Sequence, residues 1–256
     1  MANFTCSASP SWRSLSLSAR WLERLTAGPC PSCAASACAP LCRTCRVDSG
    51  IADGLHPGTI VLENALNVAY LGLYWCRLPE DSTRRREPTP LACSLQRFKF
   101  SGDRYAGHCL ARLFAEVLFT WAAQPHHGAG TRSRYDAIVP IPLSNAGLSA
   151  RRFNQSAWLA RRLARRARIA YHPGWLRRPD RREPQHRLGA AARRANMHGA
   201  FEARRLPLPP RRILLIDDVC TTGSTLAEAV RVLMNAGAQT VDAAVLALAD
   251  SANEGR

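Results

Sequence analysis

The string ILLIDDVCTTGST, residues 213–225, constrains this chain more than any other. A short, continuous apolar run reads as a strand buried on both faces. It leads directly into two carboxylates, Asp217 and Asp218, then into a Thr/Gly/Ser turn. A helix over 224–236 follows, closed by Gly237, and an apolar strand over 240–248 comes next. Strand, helix and strand in that order argue for the α/β class, with a parallel sheet covered on both faces. The turn then falls at the carboxyl edge of the sheet, where ligands of open α/β folds bind. Thr221, Thr222, Gly223, Ser224 and Thr225 offer consecutive backbone N–H groups and several hydroxyls. Gly223 admits close approach, and the helix start adds the positive end of its dipole, so the turn is a candidate phosphate cradle. The aspartates suit different chemistry. They can accept hydrogen bonds from vicinal sugar hydroxyls, or contact hydrated Mg2+. The alternative is a tight turn with solvated acids and threonines that cap the helix. The chain lacks GKS/T here, so the turn is not a Walker A loop.

Charge is concentrated in one stretch. Of 35 basic residues, only Lys99 is not arginine, and the net charge is +16. Residues 151–212 hold 18 arginines against Asp180, Glu183 and Glu202, which is +15 of that total. Such a surface attracts phosphates of a nucleotide, a sugar pyrophosphate or a nucleic acid; the alternative is a solvated helix face. Helices are expected over 108–123 and 154–168 and a strand over 136–143, while 173–211 reads as a loop with a short helix.

Cys30-x2-Cys33 and Cys42-x2-Cys45 form two CxxC pairs separated by eight residues. Four thiolates from such pairs make a closed tetrahedral site for structural Zn2+. The segment has few large apolar residues, so metal binding would supply folding energy. Cys38 lies between the pairs and is a possible substitute ligand; ordinary thiols or a redox pair are the other readings. No signal-peptide core precedes the pairs, so metal ligands in a reducing cytoplasm are expected, and no run is long enough to span a membrane.

Three strings, VPIPLSNAGLSARRFNQ (139–155), PQHRLGAAARRANMHGAF (184–201) and ILLIDDVCTTGST, resemble the ComF family in the same order. That family comprises competence protein F and the GntX-like DNA-utilisation proteins. LQRFKFSGDRYAG (95–107) is similar to the segment preceding its transferase domain. The resemblance implies a type I phosphoribosyltransferase-like sheet flanked by helices, a small N-terminal zinc module, and a link to natural competence and the uptake or use of external DNA. It implies phosphoribosyl pyrophosphate (PRPP), or a similar sugar phosphate, with Mg2+ as ligand. The 5′-phosphate would lie on Thr221–Thr225 and the ribose hydroxyls on Asp217 and Asp218. Pyrophosphate would leave toward the turn after Pro142, with Arg151 neutralising charge. Arg152, Gln155, Arg161, Arg162 and Arg193 are candidate pyrophosphate or nucleic-acid contacts; Arg152 stands where the family has glycine. The division expected is a leader (1–27), with a short helix at Ala19–Thr26, a zinc module and connector (28–78), a linker (79–94) and the transferase-like domain (95–252). The competing expectation is a non-catalytic protein that binds single-stranded DNA, alongside a competence helicase, with Trp158 and Trp175 as stacking groups.

Overall fold

The structure, a computed structural model, describes residues 28–33, 36–37, 41–51, 57–62, 66–77, 86–122, 135–151, 153–179, 199–204 and 212–249. Strands β1 (Gly28–Pro29) and β2 (Ser36–Ala37) form a small hairpin ahead of helix α1 (Arg43–Asp48). Strands β3 (Gly58–Leu62) and β4 (Leu66–Leu73) follow, then a pair of three-residue strands, β5 (Trp75–Arg77) and β6 (Arg86–Pro88). Helices α2 (Pro90–Phe100) and α3 (Arg104–Ala122) precede strand β7 (Ala137–Pro140). After it come α4 (Asn145–Arg151), α5 (Gln155–Ala167), β8 (Ala170–Tyr171), β9 (Leu176–Arg177) and β10 (Glu202–Ala203). Strand β11 (Arg212–Cys220), helix α6 (Ser224–Asn235) and strand β12 (Thr240–Leu248) complete the order.

Six strands make one sheet in the order β3-β4-β12-β11-β7-β8. Every pairing is parallel except β3 with β4 at the edge, so the sheet is mixed. β11 lies between β12 and β7, with Ile216 opposite Ala244 on one side and Pro140 on the other. That central place explains its continuous apolar run, because both faces are covered. Leu214 and Ile216 join one buried cluster with Leu95, Phe98, Phe114 and Leu163, from α2, α3 and α5. Ile213 and Leu215 join the other, with Leu226, Ala229 and Leu233 of α6 and Phe201.

The expected strands and helices over 108–248 form, with ends shifted by a few residues. Residues 173–211 differ: among those described, β9 pairs with β10 as a short antiparallel ladder. Residues 58–73, grouped by sequence with the N-terminal connector, supply two strands to the central sheet, because β4 carries buried positions that fit against β12. Residues 90–94, grouped with the linker, open helix α2: Thr89 Oγ1 accepts from Ala92 N at 3.2 Å, and Pro90 occupies the first turn. The expected leader helix and the elements of 181–194 lie outside the described residues.

The cysteine segment is fastened to this core. Buried Ser49 donates to Cys45 O at 2.7 Å and accepts from Leu91 N at 2.9 Å, joining α1 to α2. Arg97 of α2 donates to Pro31 O and pairs with Asp103 at 2.7 Å. Leu41 and Ile51 are buried in the same cluster as the α2 and α3 side chains.

Helix α5 begins at Asn154, whose Oδ1 accepts from Ala157 N at 3.0 Å while its Nδ2 donates to Ile141 O at 2.9 Å. One residue therefore caps the helix and ties it to the turn after β7. The helix ends at Arg168, which holds φ 57 in the left-handed region. An exposed arginine gains nothing there that glycine lacks, and a Cβ in that region is strained. Arg168→Gly is expected to stabilise the protein by about 1 kcal/mol in urea denaturation, with the slope of the transition unchanged.

Candidate functional site

Strand β11 carries the two acids to its carboxyl end, and two helices from the same face of the sheet meet them there. Asp217 Oδ1 accepts from Ser156 Oγ of α5 at 2.7 Å and from Asp218 N at 2.9 Å. Burial, with the neighbouring Asp218 charge, pushes the Asp217 carboxyl up to about 7. Asp218 is buried, at 7% exposure. Its Oδ1 lies 2.8 Å from Lys99 Nζ of α2, and each side chain is 10% exposed.

The turn after the strand keeps its donors. Thr221 and Thr222 are exposed. Gly223 holds φ 77 at the N-terminus of α6. A Cβ there would run into the Leu62 side chain, and the positive φ by itself favours glycine. Thr222 Oγ1 and Ser224 Oγ bond one another at 2.9 Å, and Ser224 N reaches Thr222 Oγ1 only at 3.4 Å. Gly223 offers no capping side chain; its own amide bonds Cys220 and that of Ser224 faces Thr222 Oγ1, so the open helix start begins with the amide of Thr225. Cys220 is a buried thiol pushed up to about 11 by burial and by Asp217, which disfavours its thiolate.

Beside the acids lies a cleft of about 1040 Å³ lined by Lys99, Arg104, Arg151, Arg161, Arg162 and Trp158, among others. No described acidic side chain lines it, and neither aspartate opens directly onto it. Lys99 stands between the two. Two of the cations face aromatic rings: the Arg162 guanidinium is 3.2 Å from the Trp158 ring centre, and Arg151 is 5.8 Å from that of Phe100. Burial, followed by repulsion from Arg161, Arg165 and Arg104, lowers the Arg162 pKa.

Asp217, Asp218 and the 221–225 turn, expected together from the sequence, share one sheet edge. Arg151, Arg161 and Arg162 share the cleft. Gln155 does not line it: the residue is 1% exposed, and its Nε2 donates to Lys99 O at 3.5 Å. Trp158 packs at 5.0 Å on Phe98, and Trp175 stacks on His172 at 3.8 Å, so both rings already have partners. Arg152, Arg193 and Cys38 lie outside the described residues. Ser156 and Lys99 are not among the site residues expected from sequence. Nothing in the chain marks Ser156; Lys99 is marked by being the single lysine.

In the N-terminal segment, the Sγ atoms of Cys30, Cys33, Cys42 and Cys45 all lie within 4.8 Å of one another. Cys33 and Cys42 are 3.7 Å apart, close to the ~3.8 Å edge of a tetrahedron with 2.3 Å metal–sulfur bonds. All four are free thiols. Cys42 N points at Cys30 Sγ, and Cys45 N at Cys42 Sγ, both at 3.5 Å. Burial raises the Cys30 thiol, but the amides of Cys42, Cys33 and Ser32 outweigh it and bring it down to about 7. Burial and crowding by the other thiols raise Cys45. Four sulfurs so close fit a soft tetrahedral cation such as zinc, which would relieve that crowding.

The model of the phosphoribosyl transferase domain matches residues 190–256. The chain is 34% identical over 155 residues to the DNA utilization protein YhgH of Escherichia coli O157:H7, across 59% of this chain and 64% of that protein. It is 33% identical over 154 residues to Competence protein F of Haemophilus influenzae, across 59% and 65%. The match therefore spans just under two thirds of the length of these curated relatives. A solved structure similar to it is the orotate phosphoribosyltransferase of Aeropyrum pernix, 18% identical over 68% of this chain and 73% of that one, with a TM-score of 0.36. The resemblance expected from the motifs is met by these two relatives, and residues 190–256 match the phosphoribosyl transferase domain. No described helix is long and apolar enough to cross a membrane.

Proposed function

We propose that this chain is a phosphoribosyltransferase-type protein of the competence and DNA-utilisation group that binds PRPP, or a closely related ribose phosphate, together with Mg2+. The observation that carries the reading is the shared sheet edge: twin aspartates followed at once by a helix start whose N-terminal glycine holds φ 77. In that reading the amides of 224 and 225 and the hydroxyls of Thr221, Thr222 and Ser224 hold the 5′-phosphate, where the helix dipole favours negative charge. Asp217 and Asp218 accept from the ribose hydroxyls. Ser156 orients Asp217 through its 2.7 Å hydrogen bond. The turn after β7 leads through α4 to Arg151, so the leaving pyrophosphate faces Arg151, Arg161 and Arg162 across the cleft. Mg2+ supplies charge neutralisation on the diphosphate. The arginines add fixed positive potential, which favours a transition state that separates pyrophosphate from a ribosyl cation. No described side chain on the cleft is placed as a base for an acceptor, so the reading names the donor and leaves the acceptor to experiment.

The same cleft favours a second reading. Five cations without a described lining carboxylate make a surface for single-stranded DNA. Trp158 already carries Arg162 on its face, so this binding would be led by phosphate contacts rather than base stacking. We further propose that the four cysteines hold a structural Zn2+, since Ser49 and Arg97 transmit the order of that segment into α2 and hence to Lys99.

Isothermal titration of the full chain with Mg2+–PRPP is expected to give one site. Asp217→Asn with Asp218→Asn should weaken it at least a hundredfold. Affinity should rise as pH increases through about 7, where Asp217 loses its proton; undiminished binding by the double variant removes the site. For DNA, the Kd should weaken steeply with salt, and Arg161→Gln with Arg162→Gln should flatten that slope by about two. An unchanged slope excludes the cleft as the DNA surface. Elemental analysis should find one zinc per chain. Cys42→Ser should abolish it and lower the thermal midpoint, whereas a full zinc complement in that variant would refute the four-cysteine site.

A further inference from the structure

Of 35 basic residues, 34 are arginine and one is Lys99. A chain with that usage keeps a lysine where a guanidinium does not serve. Lys99 lies in the last turn of α2, and its ammonium is 2.8 Å from Asp218 Oδ1 with both side chains 10% exposed. It also lines the arginine-walled cleft. One ammonium thus separates the acid pair from the cavity that attracts anions.

Two physical differences explain a lysine here. An ammonium is a compact charge on a flexible four-carbon stem, so it can engage a single carboxylate oxygen and swing away. A guanidinium presents a planar fork that takes both oxygens of a carboxylate at once. The Lys99 ammonium lies 2.8 Å from Oδ1, the geometry of a point charge on one oxygen rather than of a fork on two. The backbone of Lys99 belongs to the last turn of α2, and Gln155 Nε2 approaches its carbonyl at 3.5 Å from the start of α5. Without a counter-ion, Asp218 would be a buried charge next to a second carboxylate, which is unfavourable in the absence of ligand.

We propose that Lys99 is the exchangeable counter-ion of the acid pair: it neutralises Asp218 in the ligand-free protein, yields that carboxylate to the incoming cation and sugar hydroxyl, and turns its ammonium toward the diphosphate in the cleft. It is a positioning residue that acts through Asp218, and this role rests on the reading of Asp217 and Asp218 as the ribose-phosphate site. The exchange couples the two halves of the ligand. A sugar phosphate lacking the diphosphate would free Asp218 without giving Lys99 a new partner, and would therefore bind more weakly.

Because the chain has one lysine, selective 13C,15N-lysine labelling of the full-length protein yields a single side-chain signal set without any mutation. Asp218→Asn is expected to shift the ε-methylene signal and narrow it. Saturating Mg2+–PRPP is expected to move the wild-type signal to a third position, distinct from both. Ribose 5-phosphate, followed by calorimetry, should bind at least tenfold more weakly than Mg2+–PRPP. Lys99→Arg should weaken Mg2+–PRPP at least tenfold while its thermal midpoint stays near that of the wild type. A Lys99 signal that stays put while calorimetry shows Mg2+–PRPP bound overturns the exchange and leaves the site reading intact. Absence of binding heat with the wild type overturns the site reading, and the exchange with it.

Discussion

Placing two adjacent carboxylates at the end of a central strand is the constraint to which the surrounding structure answers. β11 needs apolar side chains on both faces to lie between β12 and β7, and Asp217 and Asp218 break that pattern where the strand leaves the core. Charge there must be met at short range, since little water reaches it. The answers come from two helices distant in sequence: Ser156 from α5 on Asp217, and Lys99 from α2 on Asp218. Both helices pack on the same face of the sheet through Phe98 and Leu163, so apolar burial sets the distances at which the polar contacts form.

The N-terminal segment gains a role from the same packing. Cys30, Cys42 and Cys45 lie in the buried cluster that holds α2 and α3, and Ser49 and Arg97 connect the segment to α2 by hydrogen bonds. Order at the cysteine end therefore bears on where Lys99 is held, although the two sites share no residue. A metal-stapled segment fits a place where few large apolar side chains are available to hold the chain together.

Charge on this chain is organised rather than spread. The sequence places +15 in residues 151–212, yet the cleft also draws Lys99 and Arg104 from α2 and α3. The Trp158 and Phe100 rings lie against the Arg162 and Arg151 guanidinium groups. Gln155 shows the converse. Asn154 and Ala157, close to it in the chain, line the cleft, but its own side chain points into the α2–α5 contact. The start of α5 buries one side of its first turn.

Local pattern alone determined the strand–acid–turn–helix unit, the two CxxC pairs and the helical stretches. Each depends on contacts between residues a few positions apart, where spacing and side-chain type carry the information. What only tertiary structure decided is which distant groups meet: β4 beside β12, Leu62 against Gly223, Ser156 on Asp217 and Lys99 on Asp218. These contacts join residues far apart along the chain, and periodicity says nothing across such gaps. Packing of helices on a twisted sheet fixes them, so a lone lysine could be noticed in the sequence while its partner could only be found in the fold.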